Sequence, residues 1–291
     1  MPYYKNYLVG RANLIKLKSP TFYMDRTSVN PLSSHAKEIR RKILKMIHAS
    51  KSAHIASALS TVELLVSLYF KIMRIDPKNP SMQGRDILIF SKGHGCSALY
   101  ATLVQRGYEN EKILQEFSTD GGKLWGHVTS GSMKGIEATA GSLGHGLPIG
   151  LGMALANKKR NVFVLMGDGE CDEGSVWEAI LFAGHARASN LIAIIDFNKI
   201  QSLGNTAEVL DIEPLAEKFR AAKWAAKEVD GHSIPHICAA LQKLPFEEGK
   251  PSVLIAHTTK GKGISFMENS LAWHYTPPDD KQLEGALGEL S

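Results

Sequence analysis

Two short apolar runs, separated by one helix's length of chain, constrain this sequence more than any other feature. Val162, Phe163, Val164, Leu165 and Met166 lead straight into Gly167-Asp168-Gly169, and a second run over 191–195 leads into Asp196-Phe197-Asn198. Runs of this kind flanking a helical stretch read as a βαβ unit with parallel strands. A right-handed crossover then brings the carboxyl ends of both strands to one edge of the sheet. Asp168 and Asn198, thirty positions apart, would stand side by side there as oxygen ligands. Gly167 and Gly169 would let a phosphate come close to the backbone. That combination suits a Mg²⁺ ion holding a diphosphate.

The remainder of the chain repeats the alternation. Strands are expected at 86–90, 162–166, 191–195, 224–229 and 253–257. Helices are expected from Ser97, over 110–117, and near 174–188, 214–222 and 234–244. Strand alternating with helix predicts an α/β fold, a three-layer doubly wound parallel sheet with helices on both faces. Before the first strand, Ile39, Ile43, Leu44 and Ile47 recur at helical spacing. A second helix is expected to start at Ser60, which with Glu63 has the form of a capping box, and to carry Leu64, Leu65, Leu68 and Ile72. A glycine-rich region covers 121–152, and the acidic tail beyond Pro277-Pro278 predicts a short closing helix. With no linker, repeat or low-complexity tract, one domain over 34–291 is expected behind an N-terminal arm, 1–33.

Composition excludes several classes. At 291 residues and 44% hydrophobic content the chain can bury a full core, and its net charge of +5 is mild. Arg40, Arg41 and Lys42 fall on the polar side of a helical pattern without interleaved aromatics, which predicts a solvated face and no nucleic-acid partner. Cys96, Cys171 and Cys238 are odd in number and lack metal-ligand spacing, as expected of buried thiols in a reducing compartment. The basic N-terminus has no apolar core of signal-peptide length, and no run is long enough to cross a bilayer. A cytoplasmic protein without a membrane partner is expected.

Three histidines stand in short glycine- or serine-flanked contexts: His54 in Ser-Ala-His-Ile, His94 in Ser-Lys-Gly-His-Gly and His127 in Trp-Gly-His-Val. Imidazole can donate to hydroxyls and phosphates and exchange protons near neutral pH. A fourth, His274, follows Ala-Trp, and Gly141-Ser142-Leu143-Gly144-His145-Gly146 forms a loop before an apolar helix. Together with GDGECDEGSVWEAILFAGH and DFNKIQ, these motifs resemble the transketolase branch of the thiamine diphosphate (ThDP) enzymes, over roughly 34–274.

The resemblance implies the thiamin diphosphate-binding fold, in its diphosphate-binding domain, with ThDP and Mg²⁺ as cofactors. It assigns Asp168, Asn198 and the carbonyl of Ile200 to the metal. It assigns Gly141, Leu143, Gly144, Gly167, Gly169 and Glu170 to the cofactor, with Leu143 packing on the aminopyrimidine. His94 would serve diphosphate and substrate, His54 and His127 substrate hydroxyls, and His274 the diphosphate. Glu173 and Glu178 match a carboxylate pair that connects the two active sites of a transketolase dimer, although a helix N-terminus alone also favours Glu173.

The implied activity is transfer of a two-carbon ketol unit from a ketose to an aldose. The glutamate that contacts the aminopyrimidine comes from a pyrimidine domain in this class. That domain is expected on a separate chain, making this the amino-terminal subunit of a split transketolase that forms a heterodimer or a symmetric assembly of two copies of each subunit. His145, Ala53, Ala56, Ser57, Tyr275 and Ser202-Leu203 depart from the family's common residues around the substrate, leaving sugar phosphates and modified or nucleotide-linked sugars open. Two other readings are a subunit of a 2-oxo-acid dehydrogenase or deoxyxylulose-phosphate synthase, and a non-catalytic partner that keeps the cofactor fold.

Overall fold

The computed structural model describes residues 29–291. Residues 1–28, most of the expected arm, lie outside the described residues. The chain runs through α1 (Val29–Ser50), α2 (Ile55–Leu59), α3 (Val62–Ser67), β1 (Ile87–Phe90), α4 (Cys96–Arg106), α5 (Gly146–Ala156), β2 (Val162–Gly167) and α6 (Gly174–His185). It continues through β3 (Leu191–Phe197), α7 (Thr206–Val209), α8 (Leu215–Ala221), β4 (Ala225–Asp230), α9 (Ile234–Leu241), β5 (Ser252–His257) and α10 (Asp280–Glu289). All five strands are parallel, in the order β1-β2-β3-β5-β4.

Alternating side chains of the central strands feed two separate cores. Leu88, Phe90, Phe163, Leu165, Ile192, Ile194 and Leu254 pack against α1 to α4 and α9. Ile87, Ile89, Val162, Val164, Met166, Leu191, Ala193, Ile195 and Ile255 pack against α5, α6 and α8. A strand buried on both faces needs apolar residues at every position, which is why these runs show no polar alternation. On α6, Val176, Ala179, Ile180 and Ala183 supply the buried stripe at helical spacing. After β3 the chain passes over one face by α8 to edge strand β4, then returns over the other by α9 to β5. The three-layer, doubly wound architecture is therefore as expected.

The registers Phe90↔Leu165, Gly167↔Asp196 and Phe197↔His257 align the carboxyl ends of β1, β2, β3 and β5 along one edge. Open α/β sheets bind ligands outside this edge.

Several expectations need correction. The Ser60–Glu63 capping box is absent. Ser60 Oγ donates to Asp196 Oδ2 at 2.7 Å, Thr61 occupies the N-cap of α3 but its hydroxyl donates back to Ala58 O at 2.8 Å rather than capping, and Glu63 pairs with Arg40. Arg40 is accordingly buried and does not share a solvated face with Arg41 and Lys42. The expected second helix is two pieces, α3 and a π-helical turn at Leu68–Ile72, and a short helix that was not expected, α2, precedes it. The helix expected over 110–117 is a 3₁₀ segment, Glu111–Glu116. The run Ile55–Ile72 meets the length and hydropathy of a membrane span, but 83% of it is buried inside the fold, as a core helix would be. The three cysteines are free and buried.

Candidate active site

A cavity of about 270 Å³ opens at the carboxyl edge of the sheet. Its lining includes His54, His94, His127, Gly141, Leu143, Gly167, Asp168, Gly169, Glu170, Asn198, Ile200 and His274. One pocket thus gathers most of the residues singled out in the sequence, from positions 220 apart in the chain, His54 and His274.

Asp168 leaves the end of β2 and is almost wholly buried. Its Oδ1 accepts from the Gly169 amide at 2.9 Å, and Oδ2 accepts from the Lys199 amide at 2.6 Å and from Thr206 Oγ1 at 3.3 Å. Asn198 Oδ1 accepts from the Ile200 amide at 3.1 Å. Lys199, at φ 65°, turns the chain between them. Burial first, and then the charge of Asp196, raises the Asp168 carboxyl above its ordinary value. A cation at that place would reverse the effect.

One carboxylate, one carboxamide and one backbone carbonyl form an all-oxygen donor set. Mg²⁺ takes such a set readily when phosphate oxygens and water complete its six ligands. Among the described residues no group of three or more His, Cys, Asp or Glu side chains could hold a metal, so an all-side-chain cage of that kind is not what this edge offers. Gly167 lines the cavity, and a Cβ there would add a contact with the Lys92 methylenes at 3.8 Å. The residues present fit a Mg²⁺-diphosphate.

Two lysines missed by the sequence reading dominate the electrostatics. Lys92 follows β1 and is buried with its ammonium on Asp196, and it also donates to Ser57 O at 2.9 Å and Ser60 Oγ at 3.2 Å. Thr258 Oγ1 donates to the other Asp196 oxygen. Burial alone would push Asp196 up, but Lys92 and these donors hold it below the usual carboxylate range. Lys260 has no carboxylate partner among the described residues. Its Nζ contacts Ile200 O at 2.9 Å and His274 Nδ1 at 2.8 Å, and its pKa is depressed to about 8 by burial and then by Lys92. The only signal available in the sequence was lysine beside glycine, in Ser-Lys-Gly-His and Thr-Lys-Gly-Lys, a pattern equally common in solvated loops.

The imidazoles crowd one another. Ring centroids of His54 lie 5.3 Å from His94, 6.2 Å from His127 and 5.1 Å from His274. Burial is the first cause that holds His54 down at about 4, with His127, Lys260 and Lys92 adding to it. Burial, then Lys260, His54 and Lys92, hold His274 at about 3. His94 is likewise pushed well below its ordinary value, by burial and then Lys92. At neutral pH these three rings are uncharged, so each can donate one hydrogen bond and accept another. His54 adopts φ 72° at the N-cap of α2, and its amide donates to His274 O at 2.8 Å, which ties two of the rings together through the backbone.

Glu170 lines the cavity but is held by its own neighbours. Its Oε1 accepts from Ser91 Oγ and from the Gly144 amide at 3.0 Å, while Oε2 is buried without a partner. Burial raises its pKa. It pins the loop bearing Leu143, and Gly144 at φ 81° is required there, because a Cβ would lie 2.5 Å from Ser175 Oγ. Glu173 and Glu178 are not brought into the cavity. Both are exposed, Glu173 as the N-cap of α6 without a side-chain cap bond and Glu178 beside a separate apolar groove with Pro148, Leu151 and Phe182.

A doubly wound sheet with this donor set at its carboxyl edge defines an α/β domain of the thiamine diphosphate-binding class. Residues 33–286 match the family model described as "Transketolase, thiamine diphosphate binding domain", and the chain belongs to the transketolase family. It is 40% identical over 263 residues to a 6-deoxy-6-sulfo-D-fructose transketolase subunit of Clostridium sp. (strain MSTE9), covering 89% of this chain and 96% of the relative. It is 42% identical over 269 residues to an apulose-4-phosphate transketolase subunit of Actinobacillus succinogenes, covering 90% of this chain and 97% of that one. Among solved structures, transketolase from Campylobacter jejuni superposes with a TM-score of 0.85 at 29% identity, over 91% of this chain and 43% of that one. The chain spans about two-fifths of the solved transketolases it matches.

Proposed function

We propose that this chain is the diphosphate-binding subunit of a split transketolase, which moves a two-carbon ketol unit from a ketose to an aldose with ThDP and Mg²⁺. The observation that carries the reading is the single cavity in which Asp168, Asn198 and the Ile200 carbonyl stand beside Lys92, Lys260 and four histidines. Relatives of nearly the same length that are named as transketolase subunits support it.

When bound, ThDP supplies the carbon nucleophile for breaking and making the carbon–carbon bond. Asp168, Asn198 and the Ile200 carbonyl would hold Mg²⁺, and Lys260, His94 and His274 would face the diphosphate. His54 and His127 would orient substrate hydroxyls and exchange protons with them. Glu170 would hold the Gly144 loop so that Leu143 meets the cofactor ring. Glu173 and Glu178, exposed on α6, would act across a subunit boundary as a proton-relay pair.

A partner subunit with the pyrimidine domain would cover the cavity mouth, in a cytoplasmic assembly of two copies of each chain. The exposed Trp125, Leu203 and Tyr275 support such a cover. The relatives' names carry a sulfo group and a phosphate, which supports sugars with a charged terminus as substrates.

The test is donor consumption by the chain with ThDP and Mg²⁺, with and without the partner. Hydroxypyruvate should be used only when both subunits are present, and pyruvate not at all. Full turnover by this chain alone, or a preference for pyruvate, would overturn the reading.

A further inference from the structure

Behind the loop that carries Lys260, buried Arg40 and Glu63 and the half-buried His232 form a polar group that takes no part in the cavity. Arg40 of α1 and Glu63 of α3 form a two-pronged pair, Nη1 to Oε1 at 2.7 Å and Nη2 to Oε2 at 2.9 Å. Arg40 Nε points the other way and donates to Lys262 O at 2.9 Å. His232, between β4 and α9, has Nδ1 3.1 Å from Glu63 Oε2, while its Nε2 accepts the Thr259 amide at 2.7 Å. Because Nε2 accepts, the ring proton belongs on Nδ1, facing the carboxylate. Burial works to raise Glu63, but Arg40 and the His232 hydrogen bond prevail and hold it at about 2.

Apart from a long contact of Arg40 Nη2 to Leu59 O at 3.5 Å, the hydrogen bonds that Arg40 and the His232 ring make outside this group go to the short segment 259–262. His232 holds its first amide and Arg40 its last carbonyl, and the Gly261 amide between them donates to Ala56 O at 2.9 Å. Gly263, at φ 94°, lets Arg40 approach, since a Cβ there would lie 2.8 Å from Arg40 Nε. Lys260 sits inside this held segment, with its ammonium on Ile200 O and His274 Nδ1. A buried ion pair is costly to desolvate and is weak evidence for stability alone. Here each member also fixes a backbone atom of one loop, Glu63 by orienting the other two.

We propose that Arg40, Glu63 and His232 are a positioning unit that presets segment 259–262 and so holds the Lys260 ammonium at the diphosphate cradle. The proposal rests on the reading that the cavity takes a Mg²⁺-diphosphate. None of the three lines the cavity; they act through Lys260.

The test uses the full chain with His232→Leu and Lys260→Met, singly and combined, and with His232→Gln. A glutamine amide can both accept from Thr259 and donate to Glu63. Calorimetry with ThDP and Mg²⁺ should show each single change weakening binding about tenfold, the worth of one hydrogen bond to a charged group. The double variant should bind no more weakly than Lys260→Met alone, and His232→Gln should recover most of the loss. Additive losses would overturn the proposal.

A second readout needs no cofactor: acetylation of Lys260 by acetic anhydride, followed by mass spectrometry. His232→Leu should speed it, and His232→Gln should leave it slow. An unchanged rate in a folded His232→Leu chain contradicts the proposal whatever the cofactor does. Faster acetylation with no ThDP binding by the unsubstituted chain, even with its partner subunit present, would leave the positioning unit standing and defeat the site reading. In the unsubstituted chain the Thr259 amide should exchange slowly with solvent, and fast exchange overturns the proposal even if His232→Leu does not fold.

Discussion

At the floor of the cavity, the Lys92 and Asp196 side chains are 2% and 0% exposed, and Asp196 takes hydrogen bonds from Lys92, Ser60 and Thr258. Toward the mouth, Tyr275 of the lining is 61% exposed, and Leu203, next to the lining residue Ser202, and Trp125, two positions before the lining residue His127, are 81% and 62% exposed. The floor is closed by this chain's own residues. The rim presents large apolar side chains that nothing in this chain covers among the described residues. Chemistry that must be the same in every turnover sits on the rigid ends of strands, and the surface that meets substrate and partner sits on loops, where substitution costs the fold little. The departures from the family's common residues follow that division only in part: Ser202-Leu203 and Tyr275 line or flank the mouth, but Ala56 and Ser57 are buried, and the Ser57 carbonyl accepts from Lys92 at the floor.

Floor and rim should differ most sharply at Lys92. Replacing it with Met strands the buried Asp196 charge and should lower unfolding free energy by about 3–5 kcal/mol, read by denaturant titration. Adding Asp196→Leu should recover much of that loss. A Lys92→Met chain as stable as the parent would mean the floor is open to water.

The strand ends were legible because a run such as 162–166 followed by Gly-Asp-Gly has few other readings, and the spacing to Asn198 matches one crossover. The position of β5 between β3 and β4 was not legible, because strand order depends on which face each crossover takes. Ser60 and Glu63 were misread for a related reason. Local spacing favoured a cap, but Asp196, 136 positions away, holds the Ser60 hydroxyl, and Arg40 holds the Glu63 carboxylate. Partners that distant leave no periodic trace. Lys260 escaped notice for the same reason: its burial is created by the fold around a loop that reads as solvated.

A smaller effect separates the two regions by pH. His54 and His274 have folded pKa values of about 4 and about 3, below the ordinary histidine value of 6.5. The unfolded chain therefore binds more protons between these limits, and stability falls as pH drops from 6.5 toward 3. Melting temperature of the cofactor-free chain should decline over that window. His54→Asn should flatten the upper part of the decline, and a profile identical to the parent's would show that the ring is not desolvated. Smallest of all, Leu203→Ser or Trp125→Ser should change stability by no more than about 0.5 kcal/mol. Either should nonetheless weaken association with the partner subunit in analytical ultracentrifugation. Loss of folding instead would place these side chains in the core and erase the distinction.

The most direct measurement is anomalous diffraction from Mn²⁺ substituted for Mg²⁺ in crystals grown with ThDP. The account predicts one peak, bonded to the Asp168 carboxylate, the Asn198 carboxamide, the Ile200 carbonyl and the cofactor's diphosphate. A peak elsewhere, or ThDP bound with those three oxygens turned away from it, would contradict it.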